Sequence, residues 1–226
     1  MTLPPPGPFA REQSSAEERA NSISHGVALA LAIAAAPFAI VGAVRRGDVA
    51  FITGTAVFVA TVLLLYLAST LYHAAPHGRG KRVLRVFDHA AIFLLIAGTY
   101  TPFTLGVLRG ALGWGLFGTV WGLALGGVAL KACGRAHGPV VSSALYLSMG
   151  WLVVVALDRV FTLVPSAGLA WLLAGGACYT VGVAFFVADS RLRFGHFVWH
   201  LFVVAGTTCH YFAVLWYAAA PAAAGS

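Results

Sequence analysis

The chain has 226 residues, of which 60% are hydrophobic and only 9% are charged, and its mean hydropathy is +0.87. A soluble domain carries about 25% charged residues, so this composition excludes a water-covered surface and favours a lipid bilayer as the solvent. The net charge of +7 does not indicate a nucleic-acid groove, because the basic residues fall almost entirely between long apolar runs. That distribution is typical of membrane topology signals.

The beginning of the chain does not resemble a cleaved signal peptide. Residues 1–20 mix proline with glutamate and arginine, and the first apolar run is too long for a signal. We predict a disordered cytosolic tail over residues 1–16 and a single transmembrane domain over residues 17–226. The three cysteines are widely spaced and indicate no disulfide framework.

Seven apolar stretches are long enough to cross a membrane, since a spanning helix needs about 20 mostly apolar residues. They are residues 21–44, 49–72, 88–108, 111–130, 139–157, 166–188 and 194–219. Polar segments separate them, among them a basic loop over residues 74–87 and the pair Asp158-Arg159. The weakest boundary is Arg109-Gly110, but residues 90–130 are about twice as long as one span requires. The sequence therefore predicts an all-α polytopic membrane protein, a seven-transmembrane helix bundle.

The basic residues predict the orientation of this bundle. Ten lie on the side that the N-terminus shares with the second, fourth and sixth loops: Arg11, Arg19, Arg79, Lys81, Arg82, Arg85, Lys131, Arg135, Arg191 and Arg193. The opposite side carries Arg45, Arg46, Arg109 and Arg159. Because Lys and Arg accumulate in cytoplasmic loops, we predict a cytoplasmic N-terminus and a C-terminus outside.

Ionisable side chains at membrane depth are costly and are functional candidates. Most of those in this chain fall at the predicted cytoplasmic ends of four spans: His25, Ser69 with His73, Asp88 with His89, and His196 with His200. His196 and His200 are four residues apart, so one helix face presents both imidazoles. Together with His73 they could hold one zinc ion and leave a fourth position open. Asp88 could then orient a ligand or bind the water that the metal holds.

Each of these residues also has a structural interpretation. An isolated HxxxH is a weak metal signal, and a histidine at a membrane boundary is often an interfacial side chain. Asp88 could instead cap the third span, where an acid near a helix N-terminus is favoured. His25 could line the site or fix the start of the first span. His210 lies about 20 Å deeper than His196 at 1.5 Å per residue and is expected inside the bundle.

The order of these motifs resembles the hemolysin III family, the bacterial branch of the progestin and adipoQ receptors, which include the adiponectin receptors. The matching motifs are Glu18-x-x-Asn21-x-x-Ser24-His25, Ser69-x-x-Tyr72-His73, Asp88-His89 and His196-x-x-x-His200. The resemblance implies that His73, His196 and His200 bind Zn²⁺ near the cytoplasmic face, that Asp88 contacts a zinc-held water, and that Ser69 lies nearby. It also implies an integral protein of the bacterial inner (plasma) membrane and kinship with alkaline ceramidases.

We therefore expect a zinc-dependent hydrolase of a membrane lipid amide. In this hypothesis Asp88 is the general base and Ser69 donates a hydrogen bond to the developing oxyanion. The alternative is a non-enzymatic membrane protein with a structural zinc: a sensor, a membrane-homeostasis factor or a cytolysin. The expected partner is a membrane lipid, and the sequence indicates neither a protein partner nor an oligomeric state.

Overall fold

A computed structural model of the chain describes residues 12–46, 48–134 and 138–220, and all regular structure in these residues is helical. The α-helices are α1 (Ser15–Val44), α2 (Val49–Ala74), α3 (Arg79–Leu105), α4 (Ala111–Ala132), α5 (Pro139–Gly150), α6 (Leu157–Leu163), α7 (Ser166–Ala188) and α8 (Gly195–Tyr217). A 3₁₀ helix, Trp151–Ala156, joins α5 to α6. Seven segments are long and apolar enough to cross a membrane, which confirms the predicted seven-span, all-α architecture.

The outer surface of the bundle is apolar. Large side chains such as Val49, Phe38 and Trp114 are 77%, 71% and 62% exposed. In water this surface would be unfavourable, whereas in hydrocarbon it is the natural contact with lipid. The side of the membrane on which each end of the chain lies stays a prediction from the basic residues.

Helix α1 begins earlier than the apolar pattern indicates. Its first residue is Ser15, and a capping box at Ser14 fixes this start: the Ser14 hydroxyl accepts from the Glu17 backbone N–H, and the Glu17 carboxylate accepts from the Ser14 backbone N–H. The last two residues of the predicted tail are therefore helical. Residues 1–11 lie outside the described part of the chain, so for them the disordered tail stays a prediction.

Helix α3 also begins earlier, at Arg79, so the predicted loop over residues 74–87 is wrong for residues 79–87, and Ala74 still belongs to α2. The first turns of α3 are charged because they extend beyond the apolar run, and hydropathy therefore misses them. Asp88 is the tenth residue of this helix, and the residue that precedes the helix is Gly78. The interpretation of Asp88 as a helix cap is wrong.

The predicted break at Arg109-Gly110 is confirmed, since α3 ends at Leu105 and α4 begins at Ala111. The Arg109 guanidinium pairs with Asp48, and this hydrogen bond holds the pKa of the Asp48 carboxyl below its usual range.

The predicted break at Asp158-Arg159 is wrong, because both residues lie in α6. The fifth span bends through the 3₁₀ helix and ends at Leu163, just before Pro165, which disfavours helical geometry in the residue preceding it.

Four helices bring the polar residues together at the end of the bundle where α1 begins. Helix α2 packs against both α1 and α3, and α8 packs against α1 and α7. Some crossings are close enough to require glycine: a Cβ on Gly54 of α2 would lie 2.8 Å from the backbone of Pro102 in α3. The last turn of α2 and the first turns of α1 and α8 consequently meet at one depth.

Candidate metal centre

Three buried histidines form a cluster between α2 and α8. The ring centroids of His196 and His200 are 4.8 Å apart, and His73 lies 5.1 Å from the first and 5.0 Å from the second. One potential ligand atom from each ring lies within 4.8 Å of the other two. Three nitrogens can share one ion from this arrangement after small ring rotations, since zinc–nitrogen bonds are about 2.0–2.1 Å long. The geometry is therefore that of the three-histidine set that the sequence predicted.

A carboxylate of α1 orients His73. The Nδ1 of His73 lies 2.8 Å from the Glu18 Oε2, so its N–H donates to the carboxylate and the Nε2 keeps its lone pair. The other oxygen of Glu18 is held by the Lys81 ammonium at 3.0 Å. Lys81 itself donates to the carbonyls of Tyr72 and Ala75, at the end of α2. This network fixes the tautomer and the ring orientation of His73.

A second carboxylate, that of Asp189 between α7 and α8, faces His196. The Asp189 Oδ2 lies 3.3 Å from the Nδ1 of His196, and its Oδ1 accepts from the His196 backbone N–H at 3.1 Å. Gln13 donates to Asp189 from the segment before α1 at 2.9 Å. Burial acts to raise the pKa of Asp189, but the hydrogen bonds from His196 and Gln13 outweigh it and hold that pKa below its usual range. A negatively charged carboxylate thus stands behind His196.

The third imidazole, His200, is oriented by the backbone of α1. Its Nδ1 lies 3.2 Å from the carbonyl oxygen of Asn21 and 3.1 Å from the Ser24 hydroxyl. A carbonyl only accepts, so the proton is on Nδ1 and the Nε2 carries the lone pair. His73 and His200 therefore both keep the Nε2 lone pair free, whereas the Nδ1 of His196 faces Asp189 without a hydrogen bond of standard geometry.

The first turns of α1 and α8 are tied together directly. The Phe194 backbone N–H donates to the Glu17 Oε1 at 2.8 Å, and Phe194 adopts a left-handed conformation with φ 58° just before α8. Asn21 donates to the Gln13 side chain at 2.6 Å, which continues to Asp189. The groups that orient the three histidines are thus linked to one another as well as to the rings.

The cluster satisfies a test for a metal that is independent of family. Among the described residues, the Nε2 of His73 has no hydrogen-bond partner although it is buried. Buried polar atoms are rarely left in this state, and a lone pair aimed at two other imidazoles is best satisfied by a cation. Neutral imidazoles backed by carboxylates and a carbonyl are the ligands and outer partners that zinc sites use. The residues present fit a zinc ion.

Asp88 and Ser69 lie beside this cluster. Both are buried, and both line one cavity together with His196 and His200. In the part of the chain that the structure describes, the Ser69 hydroxyl has no hydrogen-bond partner of standard geometry.

Two further histidines lie at this site. His89 lines the same cavity, and His25 stacks on His200 with ring centroids 3.6 Å apart. His25 therefore belongs to the wall of the site but not to the three-histidine cluster.

The cavity has a volume of about 210 Å³ and runs from the cluster into the bundle. Beyond the polar end its wall is mainly leucine, valine, isoleucine and phenylalanine from α3, α5, α6, α7 and α8. Its lining includes side chains at the outer surface, among them Phe161, Leu173 and Val154, which are 60%, 57% and 50% exposed. The cavity therefore reaches the lipid-facing surface between α7 and the bent fifth span.

Sequence reasoning placed the three histidines, Asp88 and Ser69 at one depth, and the structure places Ser69, Asp88, His196 and His200 in the wall of one cavity, with His73 beside them in the cluster. It assigned no role to Glu18 or Asp189. The available signal was the spacing of Glu18, Asn21 and His25, which lie at i, i+3 and i+7 and so share one face of α1. This spacing indicates a shared face only if residues 18–25 are helical, and the structure shows that they are, because α1 begins at Ser15.

We expect Glu18→Gln to lower zinc affinity about 10- to 100-fold, because the neutral amide still fills the space but removes the charge that orients and polarises His73. Competition of the purified protein against a chelating indicator measures this change. Glu12→Gln is the matched control, since Glu12 is exposed and precedes α1. Equal affinity in the two variants would show that Glu18 does not support the metal.

Several known proteins are similar to this chain. A family model described as "Haemolysin-III related" matches residues 13–211. The chain is 42% identical over 201 residues to "Hemolysin-3 homolog" of Bacillus subtilis (strain 168), which covers 89% of this chain and 94% of that protein. It is 41% identical over 201 residues to "Hemolysin-3" of Bacillus cereus, with 89% and 91% covered. The human "Monocyte to macrophage differentiation factor" is 30% identical over 162 residues, 66% of this chain and 64% of that protein. No solved structure matches the chain.

Proposed function

The chain belongs to the hemolysin III family and is a multi-pass integral membrane protein, in bacteria of the plasma membrane, and on this premise we propose that it is a zinc-dependent hydrolase of a membrane lipid amide. One observation carries the proposal. Two histidines of the three-histidine cluster, a buried carboxylate and a buried hydroxyl line the same apolar cavity, and this cavity reaches the lipid-facing surface.

The residues divide into a metal set and a reacting set. His73, His196 and His200 would hold the zinc ion, each through one ring nitrogen. When bound, zinc polarises a carbonyl and lowers the pKa of a water ligand to about 7. In this proposal Asp88 does not orient the three rings, since their Nδ1 sides face Glu18, Asp189 and the Asn21 carbonyl. It is free of that task and available to the substrate.

Asp88 acts as the proton acceptor in this proposal. It takes a proton from the water whose oxygen attacks the amide carbonyl carbon, and it returns this proton to the nitrogen when the C–N bond breaks. The products are a fatty acid and an amine. The Ser69 hydroxyl lies on the same cavity wall beside the Asp88 carboxylate, and in this proposal it donates to the carbonyl oxygen as negative charge develops there.

The cavity suits the apolar part of such a substrate. It offers a polar end at the membrane boundary, where an amide headgroup resides, and an apolar wall that continues toward the membrane interior. A lipid could enter sideways past Phe161 and Leu173 without leaving the bilayer. This route supports a lipid rather than a soluble peptide as the substrate.

Wild-type protein in nanodiscs is expected to release fatty acid from an N-acyl lipid, and to lose this activity with 1,10-phenanthroline, which removes zinc. The non-chelating isomer 1,7-phenanthroline is the matched control and should leave turnover unchanged. Added zinc should restore the chelated sample. Absence of turnover across ceramides and other N-acyl lipids would overturn the hydrolase proposal in favour of a non-enzymatic protein with structural zinc.

A further inference from the structure

His210 is a buried histidine of α8 that the proposed zinc site does not use. It lines the same cavity as Asp88 and His200. Ten residues separate it from His200, which at 1.5 Å per residue places it about 15 Å further along the helix. That distance is about half of the roughly 30 Å hydrocarbon core, so His210 lies near the middle of the membrane. An ionisable group at that depth points to a function.

The His210 ring has a defined orientation. One ring edge packs on α7 at Gly175, where an added Cβ would collide with the Nε2 and its neighbouring carbon. The Nε2 lies 3.3 Å from the carbonyl oxygen of Leu172 and therefore carries the proton. The Nδ1 is then a hydrogen-bond acceptor. It is buried and finds no partner within the described residues.

A hydrogen-bonded pair of hydroxyl groups lies near the His210 ring. The Tyr179 hydroxyl and the Thr207 Oγ1 are 2.8 Å apart, and the Tyr179 ring centroid is 5.4 Å from that of His210. Thr207 precedes His210 by three residues and so shares its helix face. The neighbouring cavity wall is apolar, with Leu169 and Leu173 of α7 close in sequence to Leu172. Two polar side chains, those of His210 and Tyr179, thus interrupt the otherwise apolar wall of the cavity.

We propose that His210 and Tyr179, which both line the cavity, form a hydrogen-bonding subsite for a hydroxyl group carried on a lipid chain, about 15 Å from its polar end, with Thr207 holding the Tyr179 hydroxyl from behind. A hydroxyl donates to the Nδ1 of His210 and can accept from the Tyr179 hydroxyl, whereas a methylene does neither. The inference rests on the proposed function, which places a lipid chain in the cavity with its headgroup at the three-histidine cluster. The other source of the same chemistry is a water molecule, which would favour no particular chain.

The test compares three fatty acids, the product class of the proposed reaction, for binding to the full-length protein by displacement of a fluorescent fatty acid. Wild type is expected to bind 12-hydroxystearate about tenfold more tightly than stearate, the effect of one additional hydrogen bond. It should show no such preference for 2-hydroxystearate, whose hydroxyl lies at the headgroup end.

His210→Leu should lose the preference for 12-hydroxystearate and still bind stearate, which also shows that the variant is folded. Tyr179→Phe should weaken the preference, and His89→Leu, at the other end of the cavity, should keep it.

Equal affinity of wild type for the three chains would overturn the subsite and assign the Nδ1 to water. A preference that persists in His210→Leu would overturn it as well. Failure of every chain to bind would overturn both the subsite and the proposed function, whereas binding without preference would overturn the subsite alone.

Discussion

Replacing His196 and His200 together with alanine is expected to reduce bound zinc from one ion per chain to near zero. These two residues supply two of the three nitrogens of the cluster, and the remaining imidazole of His73 is a single ligand. One histidine does not retain zinc at micromolar protein concentration, because a structural or catalytic zinc site requires three or four protein ligands. Elemental analysis of the purified protein, after dialysis against metal-free buffer, measures the loss.

The matched control is His210→Ala, which removes another buried histidine from the same helix outside the cluster. This variant should keep one zinc per chain. Thermal unfolding of both variants in detergent separates loss of metal from loss of fold, since ligand binding to the folded state raises its stability. Retention of stoichiometric zinc by the double variant would show that the ligand assignment is wrong.

The sequence predicts the metal set because its signals are local. The four-residue spacing of His196 and His200 places them on one helix face, and the ends of the apolar runs give the depth of His73 and Asp88. These signals need no knowledge of how helices pack. The structure adds that α2 and α8 are near enough for the three rings to meet.

The groups behind the histidines are not predictable in the same way. Glu18 acts on His73 across 55 residues, and Asp189 acts on His196 across 7 residues. Glu18 lies before the first apolar stretch and Asp189 lies in a polar segment between two stretches, so hydropathy places neither in a span. Hydropathy detects only the part of a helix that lies in hydrocarbon. The charged first turns of α1 and α3 extend beyond it, and these turns hold Glu18 and its partner Lys81.

The fifth span illustrates a different limit. Its apolar pattern ends near the Asp158-Arg159 pair, yet the helix continues to Leu163 after a 3₁₀ segment. A charged pair near a membrane boundary can remain helical because both side chains extend into water, whereas Pro165 restricts the backbone itself. The bend matters for function, because Val154 of the 3₁₀ segment and Phe161 of α6 line the surface opening of the cavity.

Asp88→Asn is expected to lower lipid-amide turnover by about 10²- to 10⁴-fold while zinc stays bound. Asparagine keeps the shape of the side chain but does not accept a proton from the attacking water, and general-base catalysis contributes about this factor. Zinc affinity should be unchanged, because Glu18, Asp189 and the Asn21 carbonyl already orient the three rings. Turnover and zinc affinity are measured on the same preparation.

Two variants make this result specific. Asp158→Asn changes an exposed aspartate of α6 in the same way and should behave like wild type in both measurements. Glu18→Gln should give the reverse pattern, with lower zinc affinity and turnover that recovers at saturating zinc. A tenfold or greater loss of zinc affinity in Asp88→Asn would instead assign Asp88 to orienting a ligand, as outer partners of metal sites do. Full turnover in Asp88→Asn would exclude it as the proton acceptor, because the only group that the change removes is the carboxylate.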